Sequence, residues 1–418
     1  MRRICVIGGG VIGAATAYYL SGEGHHVTLV EREAGPGLGA SYGNGGQLSY
    51  SYVAPLAAPG LLLKLPALLL QHHSALRFRP EFDKHQWRWC LDFLRACNTA
   101  VSDRTTCELL SLSALSRDET HRTARQEALD FDFRNSGKLV FFRDESSFAA
   151  ARRQVSMQAK FGQEQIILSE RECVEREPAL ADVERELRGG VLTPSEDAGD
   201  CYKFTHGLIA SLKTRPNVNL RFGFDVQRLR RDGPTIRAAS GPQGEIDADV
   251  FVVAGGFQSR SLLQPCGVDL PLYPLKGYSL TVPTEPSSPG PNLSVTDSDN
   301  KIVYARLGDK LRIAAMVDIG ATSGDVEAAR LEQLRRQVRS SFPKLSLKHS
   351  VTWSGSRPAT PRGKPIITQV ADSNLWLNVG HGALGFTLAC GSARLLSDLI
   401  FKRPPVLDPQ PFAFAGHA

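Results

Sequence analysis

Apolar and polar positions follow different periods along this chain, and each change of period marks a part of it. Arg3–Ile7 (RICVI) is a short β-branched apolar run, the pattern of a parallel strand buried on both faces. A glycine cluster over 8–13 follows, then AATAYYLSGEG, a helix stopped by Gly22 and Gly24. His26–Val30 (HVTLV) reads as a second buried strand closing at Glu31. This order is a βαβ unit opening a doubly wound sheet. Helical spacing returns over Glu108–Ala128, Glu145–Phe161, Tyr202–Lys213 and Val326–Ser341, with buried strands at Lys138–Arg143 and Val250–Ala254 and a hairpin at Asp232-Gly233. Beyond Pro271 the pattern becomes two-residue alternation over Tyr278–Val282, Ile302–Leu307 and Leu311–Met316, which predicts a separate antiparallel sheet. Pro286–Pro291 (PSSPGP) reads as a surface loop within it. The C-terminal part then repeats the opening plan: strand Leu375–Val379, glycine-rich GHGALG, and a helix from Thr387 to Ile400.

Composition changes this picture little. The 418 residues are 42% hydrophobic and 22% charged with a net charge of +6, which fits a globular enzyme and excludes a disordered or fibrous chain. The charge is too diffuse to argue for nucleic acid. The eight cysteines show no C-x-x-C pair, and the reading is buried thiols in a reducing compartment. No histidine spacing suits a metal. The apolar stretch over 53–70, VAPLAAPGLLLKLPALLL, carries Pro55, Pro59 and Pro66, so it does not read as a membrane span. A buried loop with a short helix, or contact with a membrane surface, are the two readings it leaves.

Chemistry enters with Gly8-x-Gly10-x-x-Gly13, placed between strand and helix. Gly8 permits the tight turn, Gly10 the approach of a pyrophosphate, and Gly13 the close packing of helix on strand, while the helix N-terminus offers free N–H groups. Glu31 is placed for ribose hydroxyls. The fingerprint by itself leaves NAD and FAD open. Gly380-His381-Gly382 before the last helix could supply positive potential to a flavin or could be a plain connection, and Ala254-Gly255-Gly256 could approach the cofactor or only turn the chain. Arg357, between glycine and proline turns, is either a stiff carboxylate fork or an ordinary surface residue. Tyr278 and Tyr304 are either pocket or core.

VIGGGVIGAATAYYL with VERE, SYGNGGQLS, YVAPLAAPG, EDAGDCYKFT, YPLKGYSL, WSGSRPATP and LWLNVGHGALGFTLACGSARLLSDL together resemble the bacterial D-amino-acid dehydrogenases, in the D-amino-acid oxidase and glycine oxidase group. The resemblance runs in order from residue 1 to about 405. It implies an α/β fold with a Rossmann-like FAD-binding domain (1–50, 200–265 and 355–418) and a mostly antiparallel-sheet substrate domain (51–199 and 266–354). It implies non-covalent FAD, oxidative deamination of a D-amino acid to a 2-oxo acid, and electrons passed to a quinone or other respiratory acceptor. The alternative keeps the fold and takes secondary amino acids: glycine, sarcosine, proline or D-hydroxyproline. The location implied is cytoplasmic, with peripheral contact at the inner face of the membrane; the oligomeric state stays open.

The resemblance also assigns residues. Arg357 becomes the carboxylate-binding residue, with Tyr278, Tyr304 and Arg306 lining its pocket. The dinucleotide end of FAD falls to Gly8, Gly10, Val11, Ile12, Gly13, Glu31, Arg32 and Ser41, with Val226, Ala254 and Gly255 alongside. Asn44, Gly45 and Gln47 pass by the ring, and Gly382, Ala383, Leu384, Gly385, Phe386 and Thr387 supply backbone to its pyrimidine edge.

Overall fold

The computed structural model describes residues 1–60, 75–159, 164–285, 290–320, 325–371 and 373–414. Two large sheets organise them. The first has six strands in the order Ile366–Gln369, Leu375–Val379, Val250–Val253, Arg3–Ile7, His26–Glu31 and Val218–Phe222. All of its neighbours run parallel except the Ile366–Gln369 edge. These strands are short, β-branched and apolar because helices or a second apolar layer cover both faces. On one side lie the helices Val11–Ser21, Thr99–Gln126, Cys201–Lys213 and Gly385–Ile400, packed around one core that includes Leu20, Leu109, Phe204 and Leu396. Gly391 permits a close crossing of Thr99–Gln126 and Gly385–Ile400, since a Cβ there would lie 2.7 Å from Ser116 Cβ. Gly382–Ile400 is long and apolar enough to cross a membrane, but here it is mostly buried against the other helices.

The second sheet is the one the alternation predicts, although larger and mixed. Its main path is Val351–Ala359, Tyr273–Pro283, Lys310–Ile319, Ile302–Leu307, Ser294–Asp297, Lys138–Phe142, Gly189–Thr193 and Ile166–Leu168, with Leu76–Phe78 paired to Lys310–Ile319. Two of its pairings are parallel, Ser294–Asp297 with Lys138–Phe142 and Leu76–Phe78 with Lys310–Ile319. One face buries Leu139, Val295, Ile313 and Leu280 under the helix Ala328–Ser341. The other face looks toward the glycine loop that follows the first βαβ unit.

Several boundaries differ from expectation for visible reasons. The helix expected from Glu108 starts at Thr99, because Asn98 caps it by accepting from Val101 N at 3.0 Å and its first turns are polar. Val351–Ala359, read as turns around Arg357, is a strand; Pro358 is tolerated because this is a sheet edge, opposite Pro274. The 355 boundary expected between domains falls inside this strand. The hairpin at Asp232-Gly233 forms, with Gly233 at φ +60°. The surface loop expected at 286–291 and the apolar run at 53–70 lie partly outside the described residues.

A buried ion pair fixes the helix to the second sheet. Asp297, wholly buried, accepts from Arg143 Nη1 at 2.9 Å, Ser341 Oγ at 2.7 Å and Asn300 Nδ2 at 2.9 Å. Burial by itself would push its carboxyl up; Arg143 and these donors outweigh that and hold it below its ordinary value. Its contribution is therefore present above the ordinary carboxylate pKa and is lost as pH falls below about 4. Asp297→Ala is expected to cost roughly 1.5–3 kcal/mol by removing the buried acceptor of Arg143, which keeps only the exposed Glu186 at 3.2 Å, read as a lower urea midpoint at pH 7. A midpoint equal to that of the wild type would remove this anchor.

Candidate active site

The carboxyl ends of the parallel strands open onto the glycine loops, where open α/β sheets bind ligands. Gly8 adopts φ +115°, and a Cβ on it would lie 2.6 Å from Ala254 O. A Cβ on Gly13 would lie 1.7 Å from Gly8 O, so the helix and the first strand meet only through this glycine. Gly10 differs: its added Cβ would meet only Ser41 Oγ, at 3.5 Å, and the space beyond is open. Val11 N donates to Ser41 Oγ at 3.0 Å, while no side chain of the helix's own N-cap satisfies its first turn. Glu31 stands at its strand end with Oε2 accepting from Gly9 N at 2.5 Å and Oε1 from Glu33 N at 2.9 Å. Arg32 points outward in an exposed pair with Glu33. Ile12 and Val226 turn their side chains into apolar packing, so only their backbones are free to face a ligand.

Two strands away, roughly 10 Å along the sheet, Gly380 at φ +82° and Gly382 at φ +55° turn the chain into the helix Gly385–Ile400. This N-terminus also lacks a side-chain cap. Ala383 is exposed and Gly382, Leu384 and Gly385 are half-buried, but Phe386 packs inward against Phe131 and Phe204. Thr387 Oγ1 accepts from Ser49 N at 3.2 Å. His381 is buried, with Nε2 at 3.1 Å from Ser392 Oγ, and burial pushes its pKa down to about 3. Its ring is turned inward onto Ser392, and burial disfavours its protonation, so it is poorly placed as a base for the site. Two free helix ends and a set of glycines facing open space fit a long dinucleotide with a pyrophosphate at Gly8–Gly13 and a flavin ring toward Gly382.

The loop Ser41–Gln47 lies against the second sheet. Cβ atoms added at Gly45 and Gly46 would touch Val303, Ala314 and Leu307 at 3.0–3.5 Å. Arg312, which the sequence reading missed, donates from Nη1 to Asn44 O at 2.7 Å and Tyr42 O at 3.2 Å. Gln47 holds the loop from its other end, giving Nε2 to Val295 O and Tyr304 O. Asn44 Oδ1 accepts from Gly46 N, at 2.9 Å. The alternation of each strand then decides what faces this loop: Val303, Ala305, Arg312, Gly277, Trp353, Gly355 and Arg357 do.

Arg357 crosses its neighbour strand at Gly277, where a Cβ would lie 2.4 Å from Nη2. Its Nη1 donates to Met316 O at 2.9 Å, exposed to it by a bulge at which Met316 takes φ +68°. Among the described residues no carboxylate forms an ion pair with it, and burial lowers its pKa against the opposing field of Asp318. A bridge between Ala359 and His381 ties the same strand to the Gly380 loop. Trp353 covers the edge: its indole occupies the Cβ positions of both Gly43 and Gly355. Gly277→Ala should displace the guanidinium and raise KM about tenfold or more, as overpacking of ~1–3 kcal/mol implies. An unchanged KM in a folded variant would show that Arg357 has another rotamer to use.

Three expected pocket residues are corrected. Tyr304 is wholly buried on the opposite face, edge-on to Phe342, because Val303 and Ala305 take the loop face. Arg306 shares that parity and donates to the carbonyls of Gly290 and Pro291. Tyr278 also belongs to the helix-side core, with its hydroxyl on Asp318 Oδ2 at 3.0 Å. Asp318, wholly buried, also accepts from Arg77 and from Arg330 at 2.6 Å. A cleft of about 600 Å³ lined by Arg2, Asp249 and Asn374 lies at the opposite ends of the strands and is not this site.

Two helix N-termini held at the ends of one parallel sheet, with a cation on a second sheet, define a dinucleotide-dependent oxidoreductase. The chain belongs to the FAD dependent oxidoreductase family (DAO), which it matches over residues 3–399. It is 48% identical over 425 residues to D-amino acid dehydrogenase 2 of Ralstonia nicotianae, covering 99% of this chain and 100% of the relative. It is 46% identical to D-amino acid dehydrogenase 2 of Pseudomonas aeruginosa, with 97% of each chain covered. In fold it resembles glycine oxidase from Geobacillus kaustophilus (TM-score 0.78, 21% identity, 100% of both chains). It also resembles L-proline dehydrogenase from P. horikoshii (TM-score 0.77, 18% identity, 98% and 96% covered).

Proposed function

We propose that this chain is an FAD-dependent D-amino-acid dehydrogenase that converts a D-amino acid to its 2-oxo acid and ammonia. The observation that carries this reading is Arg357: a guanidinium without a carboxylate partner among the described residues, on the same sheet face as the loop Ser41–Gln47 and bridged to the Gly380 loop. The 46–48% identity to D-amino acid dehydrogenases over nearly the whole chain supports the substrate class.

FAD, when bound, supplies the two-electron acceptor that takes the α-hydrogen as hydride. The chain's own part is positioning and exclusion of water. Gly8–Gly13 and Glu31 hold the dinucleotide end, with the Gly382–Thr387 backbone at the ring. Arg357 grips the substrate carboxylate and so fixes the α-carbon, and Trp353 walls the edge. The α-amine must be neutral for its lone pair to push as the C–H bond breaks, and the arrangement needs no protein base. The imino acid then leaves and takes up water. The parts 1–50, 200–265 and 355–418 would form the FAD-binding domain and 51–199 with 266–354 the substrate domain, a division that follows the two sheets except where the strand Val351–Ala359 crosses residue 355 and the helix Thr99–Gln126 packs on the first sheet.

Electrons would then pass to a quinone or another electron-transfer acceptor at a membrane surface. Support comes from the apolar stretch at 53–70 and from exposed Phe82, Trp87 and Leu91 at and beside the helix Lys84–Ala96. The deciding test of function is an anaerobic absorption spectrum with D-alanine, L-alanine and proline added separately. Bleaching by the D-amino acid alone is expected. Bleaching by proline or sarcosine alone would replace the reading with a secondary-amine dehydrogenase. For the membrane part, failure to co-sediment with quinone-bearing vesicles would remove it.

A further inference from the structure

Lys138 is a buried cation that the proposed reaction does not use. It lies on the strand Lys138–Phe142, 3% exposed, on the sheet face that looks toward the cofactor loop. Its Nζ donates to Ser49 Oγ at 2.8 Å and stands 4.2 Å from the centroid of the Tyr52 ring. Ser49 N in turn donates to Thr387 Oγ1 at 3.2 Å, and Thr387 is the third residue of the helix Gly385–Ile400. One serine thus connects a buried ammonium to the helix end assigned to the flavin ring. Glu196, 1% exposed, is the acidic group whose field reaches Lys138. One of its oxygens accepts from Ser51 N at 2.6 Å and the other has no hydrogen-bond partner among the described residues, while its influence on Lys138 is through its field alone. A buried lysine left unneutralised at contact distance is costly, which calls for a functional reason.

We propose that Lys138, acting through Ser49 and Thr387, is a positioning and charge-balancing residue that stabilises reduced FAD. Accepting hydride adds two electrons and one proton to the cofactor, hence one negative charge, and no further reactant is needed. The helix N-terminus answers part of that charge with its dipole. Lys138 adds a full charge behind the same turn, in a low-dielectric interior where it is weakly screened. Burial lowers its pKa to about 8, so it keeps its proton at neutral pH. This inference rests on the assignment of Gly382–Thr387 to the flavin ring.

The test is the two-electron midpoint potential of the FAD-loaded protein, with FAD affinity and thermal midpoint measured beside it. Lys138→Met is expected to bind FAD yet favour its reduction about tenfold less, a potential ~30 mV lower. Lys138→Arg keeps the charge and should change that equilibrium less than twofold. Ser49→Ala keeps the charge but removes the oxygen that holds the ammonium in place, and should lower the potential by part of the Lys138→Met shift, which keeps the test open where the methionine variant does not fold. An unchanged potential in an FAD-loaded Lys138→Met or Ser49→Ala protein would overturn the proposal, even with a lower thermal midpoint. A wild-type protein whose flavin no amino acid bleaches would instead overturn the functional reading and leave the potentials to be judged separately.

Discussion

Arg357→Met is expected to lower kcat/KM for a D-amino acid by about 30- to 4000-fold while FAD remains bound. That range follows from the ~2–5 kcal/mol that a buried charge pair loses when one partner is removed. The reason is geometric as well as electrostatic. The guanidinium is stretched over Gly277, held by one bond to Met316 O, and has no carboxylate partner among the described residues. Its remaining donors are the ones the proposed function assigns to the substrate carboxylate. Lysine at this position would keep the charge but not the planar fork, so Arg357→Lys should recover only part of the loss. Steady-state kinetics with D-alanine and an artificial acceptor check both variants, and a flavin spectrum confirms that the cofactor is retained. A KM within twofold of wild type in either variant would take Arg357 out of the substrate site.

Gly13→Ala should abolish FAD binding and destabilise the fold by about 3 kcal/mol or more, at or beyond the upper end of overpacking effects. The new methyl would lie 1.7 Å from Gly8 O, a backbone atom that cannot move without separating the first helix from the first strand. Gly10→Ala separates the two roles. There the methyl meets only Ser41 Oγ at 3.5 Å, so the apoprotein should melt near the wild-type temperature while the pyrophosphate is excluded. Equilibrium dialysis with FAD and a thermal melt of each apoprotein distinguish them. A Gly13→Ala protein that binds FAD as tightly as wild type would contradict the cradle.

Local pattern made the first βαβ unit, the hairpin at Asp232-Gly233 and the last strand–loop–helix legible, since strand runs, glycine turns and helix spacing are encoded within short windows. The fingerprint glycines were legible for the same reason: each is required by its own backbone geometry. Trp353 and Arg312 were not. Their importance comes from Gly43 and Asn44, hundreds of residues away in the chain. The signal that could have flagged Trp353 is its position four residues before Arg357 with a glycine between them.

Tyr304 and Tyr278 show the limit most clearly. Both faces of Ile302–Leu307 and of Tyr273–Pro283 are largely buried and mix apolar with polar residues, so alternation along either strand could not say which parity faces the ligand. The second sheet itself had to be assembled first: one face took the helix Ala328–Ser341 and left the other for the cofactor loop. The sequence by itself determined the dinucleotide fold, its family and the arginine that family motifs select. Tertiary structure decided that Tyr304 and Tyr278 belong to the core, that Met316 and Gly277 aim Arg357, and that Lys138 stands behind the last helix. The physical reason is that a motif encodes its own backbone, whereas the facing of a side chain in a sheet is set by what packs on each side.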